Sequence, residues 1–474
     1  MFRFPWFLVA AMMLAAAACS RSEGPETDTP SPATASTPEP AETLPSDSWT
    51  AFVGQFVEDW LKAHPMNAFA AGKTEYAGRF PDWTRIGIIA EIRRLEHWRD
   101  RAEGWDPSTL SAGQRFERDY LLAVLDRNLF WMRDANWPFR NPEFYFDWGS
   151  DFLNPSLYLT KPYAPVETRM GHMTEFARTL PIALDQIRGN LEVPMPRTWV
   201  ELGVSTFGGM ARYFIDDVPR AFAEVEDADL QANFTEAVGQ AAMSLAELAS
   251  WFEGLRDTAT DDFALGPERF SAMLRMTERV DIPLDQLMAL GQADLERNLA
   301  LLAEACATFA PGTDHAGCFA AMDANKPRGG AVAGARAQLD RIKSFMLAEN
   351  LASIPAEDPI FVEEAPPYQR SNFAFIYTAG PYEQGMPSTY YIAPPDPAWP
   401  EQEQLDYVPG AADLMSTSVH EVWPGHFLQF LHSNRAASPV GRLFVGYAFA
   451  EGWAHYTEDM MADAGLSGGL AGGA

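Results

Sequence analysis

Thr417-Ser-Val-His-Glu-Val-Trp-Pro-Gly-His-Phe-Leu-Gln429 places two histidines, His420 and His426, around a glutamate, Glu421. A second polar cluster, Ala450-Glu-Gly-Trp-Ala-His-Tyr-Thr-Glu458, follows within one helical hairpin. Four of the 8 histidines in the chain (His420, His426, His432 and His455) fall in this short region. Two imidazoles, an adjacent carboxylate and a downstream glutamate are the groups a zinc hydrolase needs, some to hold the metal and one to work its water.

The spacing departs from the usual one. In H-E-x-x-H the two ligands sit at i and i+4 on one helical face. Here the second histidine is at i+6, about 120° away from the first on a regular helix. Pro424 changes this, because it has no N–H to give the carbonyl of His420 and its ring clashes there. Gly425 then allows backbone angles that other residues adopt only with strain. A bulge between His420 and His426 therefore brings the second ring back toward the first. Without a metal, the same pattern reads as a helix-end histidine and a loop histidine separated by a Pro-Gly stop.

Glu451, His455 and Glu458 recur at i, i+4 and i+7, so they share one face of a second helix. Phe449, Trp453 and Tyr456 beside them predict that this helix is well buried, where charged groups are paired or bind a metal. The competing reading is a solvated stripe on an amphipathic helix.

H-E-x-x-P-G-H-x-x-Q followed by E-G-W-A-x-Y-x-E resembles the domain of unknown function 885 family, bacterial and often lipid-anchored proteins similar to zinc-dependent peptidases of the gluzincin type. Asn141-Pro-Glu-Phe-Tyr145, the Arg169 region and Ser388-Thr-Tyr-Tyr-Ile392 resemble it more diffusely. The resemblance implies that His420 and His426 are zinc ligands, Glu451 is the third, and Glu421 is the catalytic base. It makes Glu458 a carboxylate that supports the ligands or faces substrate; His455 on the same face shares that expectation. Members of the family continue well past the second motif, so the resemblance also implies that the C-terminal part of the domain is missing here. The glycine-rich end, Gly465-Leu-Ser-Gly-Gly-Leu-Ala-Gly-Gly-Ala474, does not read as a packed helix terminus.

The N-terminus reads as an export signal over residues 1–18: Arg3 is the basic start, an apolar run follows, and Ala16-Ala-Ala-Cys19 ends it. That ending resembles a bacterial lipobox with Cys19 as the lipidated residue, and Ser20 favours the outer membrane, facing the periplasm. An ordinary signal peptide with a chance cysteine is the alternative. Residues 19–46, rich in Pro, Ser, Thr, Glu and Ala, form a disordered tether. Residues 47–474 then form one large domain, because no second linker or internal repeat appears.

Helical periodicity dominates that domain, over 84–104, 113–132, 165–191, 228–256, 283–308, 328–348, 411–421 and 443–462. Asp47-Ser48 is a cap for a first helix carrying Trp49, Phe52, Phe56, Val57 and Trp60. Strand signals are confined to 373–378 and 389–392, on either side of a turn-rich stretch. The expected fold is mainly α: a large helical, zincin-like metallopeptidase domain with a small β-element beside the metal helix and a central cleft. A strand beside that helix would pair with an extended peptide. Tyr390 and Tyr391 then line the cleft, or alternatively pack in the sheet. Cys306 and Cys318 are available to form a disulfide in an exported chain, with two free thiols as the alternative. His64, His97 and His172 read as ordinary surface or helix-face histidines with no role.

With 35 Lys and Arg against 65 Asp and Glu, the formal charge of −30 excludes nucleic acid as a partner. The function expected is zinc-dependent hydrolysis of peptide bonds, with a peptide substrate and a lipid anchor in a bacterial membrane. A cell-wall amidase would share this chemistry. The rival is a non-catalytic, surface-anchored binding or scaffold lipoprotein with a vestigial zinc site. Oligomeric state is not legible.

Overall fold

Ser48 opens the first helix, α1 (Trp49–Ala63), by accepting the Ala51 amide proton on its hydroxyl at 3.2 Å. A computed structural model describes residues 48–146, 151–383 and 385–466; the export signal, Cys19, the tether and residues 467–474 lie outside the described residues. Next come α2 (Arg85–Glu103), α3 (Ala112–Leu129), α4 (Val166–Asn190), α5 (Arg197–Ala221) and α6 (Ala228–Glu253). Their apolar faces meet in one large core that includes Phe56, Trp60, Phe176, Phe207, Phe214 and Phe252. The chain is mainly helical, as expected. Among the described residues no helix is long and apolar enough to cross a membrane.

α5 was not foreseen. Its sequence mixes Val and Thr with Gly208-Gly209, all weak helix formers. The packing supplies the reason: a Cβ on Gly209 would lie 2.6 Å from the Pro367 carbonyl oxygen and 2.8 Å from the Tyr368 Cα. A residue that weakens the isolated helix lets the backbone of the sheet side approach it.

The second half is built around a smaller core. α7 (Leu284–Phe309) buries only Cys306, which is joined to Cys318 by a disulfide. α8 (Gly330–Ala348) packs on α9 (Ala411–Glu421) and on strand β1 (Ile360–Glu364). α10 (His426–Ser433) and α11 (Tyr447–Asp463) complete this region, both α9 and α10 packing on α11.

Two further strands, β2 (Ala374–Tyr377) and β3 (Ser388–Ile392), match the expected pair. β1 was not expected, and it changes the sheet. The order is β1-β3-β2, with β3 parallel to β1 (Val362 opposite Tyr390) and antiparallel to β2 (Ile376 opposite Tyr390). β3 is therefore the central strand. Both of its edges are paired, whereas β2 lies at the edge of the sheet and packs on α9, the helix that carries His420.

Candidate metal centre

The Pro-Gly segment does locally what its chemistry requires. α9 stops at Glu421, residues 422–425 form a turn with a cis Trp423–Pro424 bond, and α10 starts at His426. Gly425 donates its N–H to the Val419 carbonyl at 3.0 Å. It passes so close to α9 that a Cβ there would sit 1.7 Å from the His420 carbonyl oxygen. The tight turn brings the two imidazoles together, with centroids 4.7 Å apart and planes at 88°. From α11, the Trp453 indole N–H donates to the Pro424 carbonyl at 2.9 Å, tying the helix that carries Glu451 to the turn.

Glu451 then faces both rings. Its Oε2 is 3.4 Å from His420 Nε2 and its Oε1 is 3.6 Å from His426 Nε2. These distances exceed a good N–H···O hydrogen bond. They match the edge of a zinc tetrahedron, about 3.4 Å when the metal–ligand arms are about 2.1 Å. The ligand atoms of His420, His426 and Glu451 all lie within 4.8 Å of one another, so the donor set fits a single zinc.

A second triple, His420, His455 and Glu458, is also compact. Its contacts are of another kind: Glu458 Oε1 accepts from His420 Nδ1 at 2.8 Å and from His455 Nδ1 at 3.0 Å, and its Oε2 accepts from the Ser416 hydroxyl at 2.8 Å. These are hydrogen-bond lengths. Glu458 thus holds the far side of the His420 ring and leaves Nε2 to face Glu451, the arrangement that fixes a metal-binding tautomer.

Charge at the cluster follows from burial and neighbours. Burial alone would lower His420, but the Glu451 carboxylate facing its Nε2 and the Glu458 carboxylate accepting from its Nδ1 outweigh it and hold the imidazole up at about 10. Burial and then the charge on His420 push His426 down to about 4, which leaves it a neutral imidazole, the form that binds metal. Burial, reinforced by Glu451 and Glu458 and opposed by His420, pushes Glu421 up to about 7. Burial would raise Glu458, yet its hydrogen bonds from His420, His455 and Ser416 bring it down to about 2. Three carboxylates thus concentrate negative charge around a point that a divalent cation would satisfy. A carboxyl poised near neutrality beside that point suits a general base.

The other expected residues are distributed unevenly. Tyr390 is fully buried in the core under α9, facing Ser418 and Glu421, so it is not a cleft residue. Tyr391 projects from the opposite face of β3 and packs with Phe375 at 5.2 Å. The placement of Tyr391 beside the site is corrected, because neighbouring residues of a strand point to opposite faces. Phe449 and Tyr456 are 59% and 58% exposed, which corrects the expectation that α11 is buried through its aromatic residues. Its buried positions are Ala450, Ala454, Thr457 and Met461.

Ser416, Ser418 and Gln429 were not given roles from the sequence. Their helical offsets from His420, Glu421 and His426 were the available signal. His64 is another correction. It is buried, its Nδ1 lying 2.6 Å from Asp151 Oδ2 and its Nε2 3.1 Å from Glu91 Oε1. It borders a cavity of about 380 Å³ that the metal-centre residues do not line.

A helical protein with a His–His–Glu cluster, a buried glutamate beside it and a buttressing carboxylate is the class this geometry defines. The chain belongs to the family described as "Bacterial protein of unknown function (DUF885)", which it matches over residues 65–471. It is similar in structure to a candidate lipoprotein of unknown function from Shewanella oneidensis, at 21% identity and a TM-score of 0.64 over 89% of this chain and 78% of that one. A candidate lipoprotein from Colwellia psychrerythraea aligns at 12% identity with a TM-score of 0.67, covering 88% of this chain and 78% of that one. These likenesses establish a shared fold. Comparison with curated proteins gives no match.

Proposed function

We propose that the protein is a zinc-dependent hydrolase of peptide bonds with a zincin-like centre. The observation that carries this reading is the Nε2–carboxylate spacing of 3.4 and 3.6 Å among His420, His426 and Glu451. It is too long for good hydrogen bonding and right for ligands around one zinc. Those three residues would hold the metal, and the mix of two imidazoles with one carboxylate suits zinc. When bound, zinc would supply a Lewis acid that lowers the pKa of a bound water toward roughly 7 and draws charge from a carbonyl.

The chain's own groups do the rest. Glu421, adjacent to a ligand and raised toward neutrality, takes a proton from the attacking water on a carboxylate oxygen and returns it to the leaving amine nitrogen. Glu458 keeps the His420 ring in register. Glu451 and His455 are the more exposed members of the cluster, so substrate enters a central cleft from the α11 side. Tyr447, one helical turn before Glu451, gives that side an apolar surface for peptide side chains.

Export and lipidation at Cys19, with the domain held at the outer membrane facing the periplasm, belong to the same reading. They are supported by Ala16-Ala-Ala-Cys19 and by structural relatives described as candidate lipoproteins. The test is Glu421→Gln assayed on a quenched-fluorescent peptide library. The variant should retain zinc and lose about 10²–10⁴-fold in turnover. Near-normal turnover would remove Glu421 from the role of base.

A further inference from the structure

The two histidines are unequally supported. His420 has Glu458 on its Nδ1 at 2.8 Å. His426 turns its Nε2 toward Glu451, and its Nδ1 is buried without a hydrogen-bond partner. One helical turn on, at i+3 in α10, Gln429 is also buried, and neither its amide nitrogen nor its oxygen is paired. Such a carboxamide is a costly choice for a core position, since an apolar side chain of similar size would leave nothing unsatisfied. Residues at i and i+3 are neighbours on a helix surface. Which end of a Gln carboxamide carries oxygen is settled by its hydrogen bonds, not by its shape.

We propose that Gln429 is the positioning residue for His426, its carboxamide oxygen accepting the Nδ1–H. A ring that offers its Nε2 lone pair to a metal carries its proton on Nδ1, and a buried N–H needs an acceptor. Gln429 supplies one without adding a fourth carboxylate to the cluster. Each ligand histidine is then buttressed from its own side, His420 by an anion from α11 and His426 by a neutral amide from α10. This inference rests on the zinc reading above.

The experiment measures zinc affinity by chelator competition, and urea unfolding of the zinc-free protein, for the full chain and for Gln429→Leu and Gln429→Glu. Gln429→Leu should weaken zinc binding about 10–100-fold. Its zinc-free unfolding midpoint should stay level or rise, because an unsatisfied amide has been replaced by an apolar group. Gln429→Glu, which keeps the acceptor, should bind zinc within about threefold of the parent chain. Unchanged affinity in Gln429→Leu would overturn the proposal, as would a loss of affinity matched by a lower zinc-free midpoint, the mark of a merely structural role. A parent chain that binds no zinc would instead remove the metal reading and this inference with it.

Discussion

Gly425→Ala is the sharpest perturbation of the metal centre, because its effect can be worked out from one contact. The added Cβ would lie 1.7 Å from the His420 carbonyl oxygen and 2.4 Å from both the His420 carbonyl carbon and the Val419 oxygen, whereas real Cβ contacts essentially never fall under 3.0 Å. The turn must therefore open by about 1.3 Å, and all the opposing atoms are backbone, which cannot swing aside as a flexible side chain would. Zinc sites tolerate ligand displacements of about 0.2 Å. Either His420 or His426 must leave the common position. Losing a supporting partner alone weakens a site about 10–100-fold, so displacing a ligand should cost at least about 100-fold in zinc affinity. Global stability should fall by only about 1–3 kcal/mol, the usual range for overpacking. Chelator competition reads the first quantity and urea unfolding the second. An alanine variant that binds zinc as tightly as the parent would refute the account of the Pro-Gly turn.

Three further outcomes follow. Glu458→Leu should lower zinc affinity about 10–100-fold, because the acceptor that orients His420 is lost; unchanged affinity by chelator competition would place Glu458 outside the support of the metal. Tyr390→Phe removes a buried phenol beside Glu421 and Ser418, so turnover should fall about tenfold with zinc content unchanged; equal turnover of the two proteins would deny the phenol a part in positioning the base. His64 gives a stability effect remote from the metal. Burial would lower its pKa, but Asp151 and Glu91 outweigh that and raise it to about 9. Because the folded pKa exceeds the unfolded value, this stabilisation is full below about pH 6.5 and is lost as pH climbs through about 9, by roughly 3 kcal/mol. Urea midpoints between pH 6 and 10 should fall in the parent and stay flatter in His64→Asn, and parallel curves would contradict the assignment.

Local chemistry carried most of what the sequence revealed. The bulge between His420 and His426 was legible because Pro424 and Gly425 act on their own neighbours within one turn. The long helices were legible from period alone, since 411–421 and 228–256 each bury one face. Features that depend on distant partners were not. α5 was hidden because Gly209 lowers helix propensity, and its use depends on Pro367 and Tyr368 far along the chain. His64 looked ordinary because Asp151 and Glu91, which fix its charge, are separated from it by 87 and 27 residues.

On α11 the error was one of phase. The buried stripe runs through Ala450, Ala454, Thr457 and Met461, with Glu451 and Glu458 one residue ahead and Phe449 and Tyr456 one residue behind. Aromatic residues beside a charged stripe therefore do not report its burial. The role of β3 turned on β1, whose Ile-Phe-Val-Glu-Glu gave little alternation to read. Once β1 pairs with it, the parity of the strand assigns Tyr390 to the metal helix and Tyr391 to the opposite face.

The central claim is that His420, His426 and Glu451 hold one zinc. Elemental analysis of the purified chain beside His420→Ala, His426→Ala and Glu451→Gln tests it most directly. The account predicts about one zinc per folded parent chain, lost in both histidine variants and sharply reduced in Glu451→Gln. A folded parent chain without zinc, or histidine variants that keep it, would contradict the claim.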